Sequence, residues 1–180
     1  MYYIGVDLGT SSMKMILMDH SGSIKESISE SYELYFPQPT WSEQNPVDWW
    51  LAFKEGINKI TKTISKDEIK GLSFGGQMHG LVMLDEKDEV IRPAILWNDG
   101  RSFKETAYLN DVIGKERLSK ETGNIAFAGF TAPKILWVKN NEPENFKRIS
   151  KIMLPKDYLL YMLTGVFASD ISDASGMLLL

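Results

Sequence analysis

The chemistry-bearing residues nearest the start of the chain have the types and spacing of a phosphate-binding turn. Asp7 follows a short apolar run, and the residues after it are Gly9, Thr10, Ser11 and Ser12. A carboxylate can bind Mg²⁺, and a glycine turn with exposed hydroxyl and N–H groups can bind phosphate oxygens. The apolar run predicts a buried position for Asp7, where a carboxylate needs a cation or hydrogen-bond donors. A β-hairpin with a polar turn fits these residues equally well, so this stretch alone leaves both interpretations open.

A second candidate site follows a predicted strand in the middle of the chain. Glycines flank the residues Gln77, Met78 and His79, directly after the stretch 69–75. A helix precedes that stretch and makes a crossover, so we expect its strand to run parallel to a strand of the first sheet. In open α/β sheets, ligands bind beyond the carboxyl ends of parallel strands. This loop and the phosphate-binding turn are therefore predicted to face one crevice, in which His79 contacts the ligand.

A third cluster combines an aromatic ring with polar side chains at another predicted strand end: Trp97, Asn98, Asp99 and Arg101. Such a set suits a polyol, because the ring offers an apolar wall and the polar groups can bond hydroxyls. The same residues also fit a capping turn, with Asn98 or Asp99 capping a helix over 102–113. Asp99 can do both, and the sequence does not separate the two interpretations.

The elements that must position these residues are those of an α/β domain. Apolar patterning and turn residues predict three antiparallel strands over 2–9, 12–19 and 23–35. An asparagine N-cap followed by proline predicts the start of an amphipathic helix over 46–65. Further along the chain we expect strands over 81–84, 90–96 and 152–154 and helices over 102–113, 115–122, 131–140 and 157–164. The polar segment 142–148 is expected to be solvated, and 170–176 is expected to be an acidic, hydroxyl-rich loop. The sequence therefore predicts a mixed sheet with flanking helices.

Composition restricts the class of protein. The 180 residues suffice for one domain with a substantial core, and the net charge of −4 gives no basic surface for nucleic acid or an anionic membrane. Cysteine is absent, which excludes disulfides and thiolate chemistry and fits a cytoplasmic protein. We expect neither a signal peptide nor a membrane-spanning segment, since no apolar run is long enough. The apolar run 176–180 lacks a polar tail, so we expect a truncated chain, whose oligomeric state stays open and is compatible with a homodimer.

Together, these stretches resemble the FGGY family of carbohydrate kinases. Residues 7–11 are similar to the family's first phosphate motif, and residues 76–80 are similar to its sugar-site loop. Glycerol kinases of the family have a charged pair where this chain has Met78 and His79. The runs 96–101, 154–158 and 169–170 also match family stretches, and the family's first signature pattern is met at Gly129, Thr131, Lys134, Trp137, Val138, Asn140 and Asn141.

The resemblance implies a ribonuclease H-like domain, the fold of the actin-like ATPases, which the family repeats twice around a cleft that holds the active site. It also implies transfer of the ATP γ-phosphoryl group to a ketopentose, namely to O5 of D-xylulose. Asp7 is then expected to hold Mg²⁺ through water or to position the phosphates. The implied contacts with ATP come from Gly9, Thr10, Ser11, Ser12 and Lys14, and those with the sugar from Gln77, Met78, His79, Trp97, Asn98 and Asp99.

By the same resemblance, residues 1–180 are most of an N-terminal kinase domain. The family's catalytic base is an aspartate further along the chain, and the adenosine contacts come from a second domain. We therefore expect these residues alone to be inactive, with neither Asp99, Asp170 nor Asp173 replacing the missing base. Two alternatives stay open: a kinase for glycerol, gluconate, ribulose or a similar polyol, and an actin-like nucleotide-binding module without sugar chemistry.

Overall fold

The structure, a computed structural model, describes residues 1–179. The strands are β1 (Tyr2–Leu8), β2 (Ser12–Asp19), β3 (Ile24–Ser31), β4 (Glu43–Gln44), β5 (Ile69–Gly76), β6 (Val82–Leu84), β7 (Ala94–Ile95) and β8 (Lys151–Met153). The helices are α1 (Pro46–Ile60), α2 (Phe103–Ala107), α3 (Lys115–Thr122), α4 (Thr131–Asn141), α5 (Pro143–Arg148), α6 (Pro155–Thr164) and α7 (Ile171–Gly176). Most of these elements overlap the predicted ones, although β3 and β7 are shorter than expected.

The central sheet has the strand order β3-β2-β1-β5. The first three strands pair antiparallel, as predicted, and β5 pairs with β1 in parallel. A parallel pair needs a crossover connection, and α1 lies in the segment that joins β3 to β5. This mixed sheet with flanking helices confirms the predicted architecture.

Side-chain alternation along β1 decides the position of Asp7. Ile4, Val6 and Leu8 are buried in the core, whereas Asp7 is exposed. The prediction of a buried Asp7 is wrong, because successive side chains of a strand point to opposite faces of the sheet. Its carboxylate therefore lies on the open face, near the carboxyl end of β1.

The first helix covers the core face of the sheet. Its N-cap is Asn45, whose side chain accepts a hydrogen bond of 3.2 Å from the Val47 N–H group. Trp49, Phe53 and Ile60 are buried against the sheet and its neighbouring elements. The start of α1 is as predicted, while its end at Ile60 comes earlier than expected.

Three segments fold differently from the prediction. The helix expected over 102–113 is divided into α2 and the π-helical segment Tyr108–Gly114. The spacing of apolar residues in the sequence does not show this change from an α-helix to a π-helix. No helix was predicted in the polar segment 142–148, which contains α5, and the loop expected over 170–176 contains α7. Pro143 occupies the start of α5, and the Asp170 side chain accepts from the Asp173 N–H group over 3.0 Å at the start of α7. A proline in the first turn and a capping aspartate are common at helix starts. They favour a helix in these segments even though most of the residues are polar.

Two small sheets attach the later segments to the central sheet. β4 pairs with β7, and β6 pairs with β8. The β4–β7 pair is important for the site, because it ties the segment before α1 to the segment that leads into Trp97. Within residues 1–179, no helix is both long and apolar enough to cross a membrane.

Candidate active site

The carboxyl ends of β1 and β5 lie side by side, as the sequence predicted. Asp7 is paired with Gly75 in the parallel register, and Leu8 with Gly76. The Gln77 N–H group then donates to the Leu8 carbonyl oxygen over 2.7 Å. A side chain on Gly76 would begin 2.7 Å from the Leu8 Cβ atom, so only glycine permits this approach. The two predicted loops therefore leave the sheet at one edge.

The turn between β1 and β2 is closed by backbone contacts and by a tyrosine. The Gly9 N–H group donates to the Ser12 carbonyl oxygen over 3.1 Å, and a side chain on Gly9 would begin 2.9 Å from that same oxygen. The Tyr32 hydroxyl group donates to the Gly9 carbonyl oxygen. Burial, with a contribution from the Asp7 charge, raises the pKa of Tyr32, so this hydroxyl group stays a donor. These contacts brace the turn from within the domain.

The open face of the sheet carries one acidic and one basic side chain beside this turn. Asp7 and Lys14 are directly opposite in the β1–β2 register, and both are exposed. Among residues 1–179, no group of three or more His, Cys, Asp or Glu side chains could hold a metal ion. Mg²⁺ is commonly bound through one or two carboxylates together with substrate phosphates. A single carboxylate beside a phosphate-binding turn fits an ion of that kind.

Trp97 connects the third cluster to the phosphate-binding turn. Its indole N–H group donates to the Thr10 hydroxyl oxygen over 3.0 Å, and 48% of the residue is exposed. Asn98, next to it, is also exposed. The indole ring therefore stands beside the turn and presents an apolar surface to the open side.

Asp99 is turned away from solvent and is only 2% exposed. Its Oδ1 atom accepts from the Arg101 N–H group and from Arg101 Nε, both over 2.9 Å. Its Oδ2 atom accepts from Arg101 Nη2 over 2.7 Å and from the Ser42 N–H group over 2.6 Å. The capping interpretation is wrong, since Ser102 precedes α2 and no side-chain cap bond is made there. In this structure, the carboxylate organises the loop that carries Trp97.

The loop after β5 places its two central side chains differently. Met78 is 42% exposed, whereas the His79 ring is half-buried, 4.7 Å from the Phe130 ring. His79 Nδ1 lies 3.0 Å from the Gly176 carbonyl oxygen. Since a carbonyl oxygen only accepts, Nδ1 carries the hydrogen when the ring is neutral, and Nε2 is left as an acceptor. Burial lowers the pKa of His79 below its ordinary value of 6.5, which favours this neutral form at pH 7.

Gln44 is a central residue of the site that the sequence analysis missed. It is fully buried, and its Nε2 atom donates to the Thr10 carbonyl oxygen over 2.6 Å. Its Oε1 atom accepts from Trp49 Nε1 over 3.2 Å and from Gln77 Nε2 over 3.0 Å. The indole can only donate and the carbonyl can only accept, so the amide has one orientation. Gln44 thereby bridges the phosphate-binding turn and the loop after β5, and no local sequence signal indicated it.

With this geometry established, similarity to known proteins identifies the family. The profile of the FGGY family of carbohydrate kinases, N-terminal domain, matches residues 2–180. The chain belongs to the FGGY family. The xylulose kinase of Escherichia coli is 47% identical over 174 residues, which cover 97% of this chain and 36% of that protein. The chain thus spans little more than a third of this curated relative.

Solved structures agree with the assignment to the FGGY family. The crystal structure of a xyloylose kinase from Brucella ovis has a TM-score of 0.93 and 43% identity, over 100% of this chain and 38% of that one. The gluconate kinase of Lactobacillus acidophilus has a TM-score of 0.93 and 29% identity, over 99% of this chain and 36% of that one. The FGGY domain therefore has the actin-like, ribonuclease H-like ATPase fold, which confirms the predicted fold class.

Proposed function

We propose that this chain is most of the N-terminal domain of a sugar kinase that transfers the ATP γ-phosphoryl group to D-xylulose. The observation that carries the proposal is the junction of two loops at one sheet edge, bridged by Gln44. One loop has the groups that bind phosphate, and the other has groups that suit a sugar. Similarity to a xylulose kinase at 47% identity supports a ketopentose as the acceptor.

The phosphate side of the site consists of the turn from Gly9 to Ser12, with Asp7 and Lys14 on the open face beside it. Hydroxyl and N–H groups of the turn bind β- and γ-phosphate oxygens, and the Lys14 ammonium group adds a positive charge. Asp7 would hold Mg²⁺ or position the phosphates, and the ion would supply charge neutralisation there. Because phosphoryl transfer needs little covalent assistance, these residues contribute by alignment and by charge neutralisation.

The sugar side of the site is formed by residues from two segments. The exposed ring of Trp97 gives an apolar wall, and Asn98 offers an amide for hydroxyl groups. The Nε2 atom of His79 accepts a hydrogen bond from a sugar hydroxyl group, while the flexible side chain of Met78 covers an apolar part of the sugar. Gln77 holds the loop in register through Gln44. Asp99 acts indirectly, by fixing the Trp97 segment.

The experiment that tests this function uses the full-length protein and a panel of acceptors: D-xylulose, D-ribulose, glycerol and gluconate. ADP release is measured against acceptor concentration at saturating ATP and Mg²⁺. We expect the highest kcat/KM for D-xylulose, because sites that read hydroxyl groups reject analogues strongly. A higher value for another acceptor overturns the choice of sugar. ATP turnover that no acceptor stimulates overturns the kinase and favours a nucleotide-binding module.

Gluconate is the second candidate acceptor. The gluconate kinase of Lactobacillus acidophilus has the same TM-score as the xyloylose kinase, 0.93, although its identity is lower, at 29% against 43%. The acceptor panel separates the two sugars directly.

A second measurement tests the proposal that the catalytic base lies outside these residues. The 180-residue chain alone is assayed with D-xylulose, ATP and Mg²⁺ under the same conditions. We expect no sugar-dependent ADP release. Measurable release contradicts the assignment of the base to a later part of the protein, and it would direct attention to Asp7 as the exposed carboxylate of the site.

A further inference from the structure

Lys134 is a fully buried lysine whose amino group bonds two backbone carbonyl oxygens. Its Nζ atom donates to the His79 carbonyl oxygen and to the Gly129 carbonyl oxygen, both over 2.7 Å. No ion pair within residues 1–179 includes it. A buried amino group is costly unless it is hydrogen-bonded, and these two carbonyl oxygens are the acceptors that Lys134 needs. Its two acceptors indicate what it does.

The first acceptor belongs to a residue with an unfavourable backbone. His79 has φ = +63°, in the left-handed region that residues with a side chain rarely adopt. Its carbonyl oxygen also accepts from the Thr131 hydroxyl group over 3.2 Å. Thr131 and Lys134, both from α4, therefore fix the orientation of this peptide group. The orientation of the peptide group in turn sets the direction in which the His79 ring projects.

The second acceptor belongs to the segment that supports Trp97. A side chain on Gly129 would begin 2.6 Å from the Trp97 carbonyl oxygen, so the two backbones are in direct contact. The next residue, Phe130, packs its ring against the His79 ring at 4.7 Å. One amino group therefore joins the backbone beneath Trp97 to the backbone of His79.

We propose that Lys134 is a positioning residue for the sugar, which fixes His79 and Trp97 relative to each other across the site. The proposal rests on the proposed function, since it takes these two side chains as the sugar contacts. Lys134 itself does not touch the sugar, because its amino group is buried beneath the loop. The turn between β1 and β2 also has contacts with Gln44 and Tyr32, and Lys134 takes part in neither of them. Loss of the Lys134 amino group should therefore affect the sugar far more than ATP.

The test compares Lys134→Met with Lys139→Met in the full-length protein. Methionine keeps most of the length and volume of lysine and removes its donors, and Lys139 is an exposed lysine on the same helix. For Lys134→Met we expect the KM for D-xylulose to rise about tenfold, because a small misplacement of contact groups weakens binding strongly. The KM for ATP should stay within about twofold of the wild type, and Lys139→Met should leave both constants unchanged.

Three results would contradict the positioning role. An unchanged KM for D-xylulose means that the two carbonyl contacts do not set the sugar site. An equal rise in both KM values, with a lower melting temperature, means that Lys134 serves only the stability of the fold. A wild-type protein that phosphorylates no sugar overturns the proposed function and, with it, this inference. The first two results leave the proposed function intact and contradict only the role of Lys134.

A second variant covers the case in which Lys134→Met does not fold. Thr131→Val removes the other donor to the His79 carbonyl oxygen while keeping the shape of a buried side chain. We expect the KM for D-xylulose to rise in the same direction but by less, since Lys134 still holds the carbonyl oxygen. A KM for D-xylulose equal to that of the wild type contradicts the proposal that these donors aim His79.

Discussion

The Trp97 indole N–H group donates to the Thr10 hydroxyl oxygen over 3.0 Å, across 87 positions of sequence. One end of this bond is the apolar wall proposed for the sugar, and the other end is the turn proposed for phosphate. The acceptor hydroxyl and the phosphoryl group must meet in line for transfer. A direct bond between Trp97 and Thr10 can therefore set the distance between the bound sugar and the bound phosphate.

Removing this bond should lower the rate of transfer. Trp97→Phe keeps an apolar ring without a donor, and Thr10→Val removes the acceptor while keeping the shape of the side chain. We expect each variant to lower kcat about tenfold through misalignment of the two substrates. If both single variants lower kcat by breaking this one bond, kcat of the double variant should be no lower than that of the slower single variant. A double variant whose loss of kcat, measured by steady-state kinetics, equals the product of the two single losses would contradict this.

Asp7→Ala should abolish turnover in the full-length protein and leave sugar binding largely intact. Asp7 is exposed on the open face, so its loss costs little stability, whereas kcat should fall by at least about a hundredfold. Sugar affinity is measured by the change of tryptophan fluorescence on addition of D-xylulose. Asp67→Ala, at another exposed aspartate, is the control and should behave as the wild type. Comparable loss of turnover and sugar binding would mean that Asp7 is structural.

Gln44→Glu should produce a pH-dependent defect. The carboxylate form cannot donate to the Thr10 carbonyl oxygen, whereas the protonated form can, and burial raises the pKa of a glutamate. We expect activity relative to the wild type to be lowest above about pH 8 and to recover as the pH falls toward about 6. The measurement is the ratio of kcat/KM values across this range.

Gln44→Met is the matched control for that experiment, since it never donates. Its activity relative to the wild type should be low at every pH. A Gln44→Glu ratio that is equally independent of pH would show that the donor at Gln44 is not what activity requires.

His79→Asn should weaken sugar binding without disturbing the backbone. Asparagine tolerates the left-handed conformation, and its amide can still donate to the Gly176 carbonyl oxygen. The variant lacks an acceptor at the position of Nε2, so we expect the KM for D-xylulose to rise about tenfold with little change in the KM for ATP. An unchanged KM for D-xylulose would exclude His79 as a sugar contact.

Protonation of the same histidine should set how the KM for D-xylulose changes at acid pH. Burial and the nearby charge of Lys134 lower the pKa of His79 below 6.5, while the Gly176 carbonyl oxygen and Asp173 oppose this shift. As the pH falls through that lowered value, Nε2 gains a proton and ceases to accept. The KM for D-xylulose of the wild type should therefore rise below pH 6.5, and that of His79→Asn should stay level. Parallel profiles for the two proteins would refute the assignment.

Several elements could be predicted from the sequence because their signals are local. Asn45 and Pro46 mark the start of α1, and Gly165, with φ = +71°, ends α6. The antiparallel unit of β1 to β3 follows from apolar patterning and turn residues, and the crossover helix implies the parallel β1–β5 pair. The signals for these features are local or, for the β1–β5 pair, follow from the helix between the two strands, so the end of the sheet at which the two loops meet was predictable.

The sequence by itself therefore determined the fold class, the family and the pair of loops that form the candidate site. Only the tertiary structure decided which side chains reach that site. Side-chain alternation along β1 exposes Asp7, and Arg101 and the distant Ser42 N–H group hold Asp99 in the interior. Gln44 enters from a segment with no local signal, and the bond from Lys134 to the His79 carbonyl oxygen could not be read from the sequence. The physical reason is that a buried polar group goes where its hydrogen-bond partners are, and each of Asp99, Gln44 and Lys134 has at least one partner that is far away in sequence.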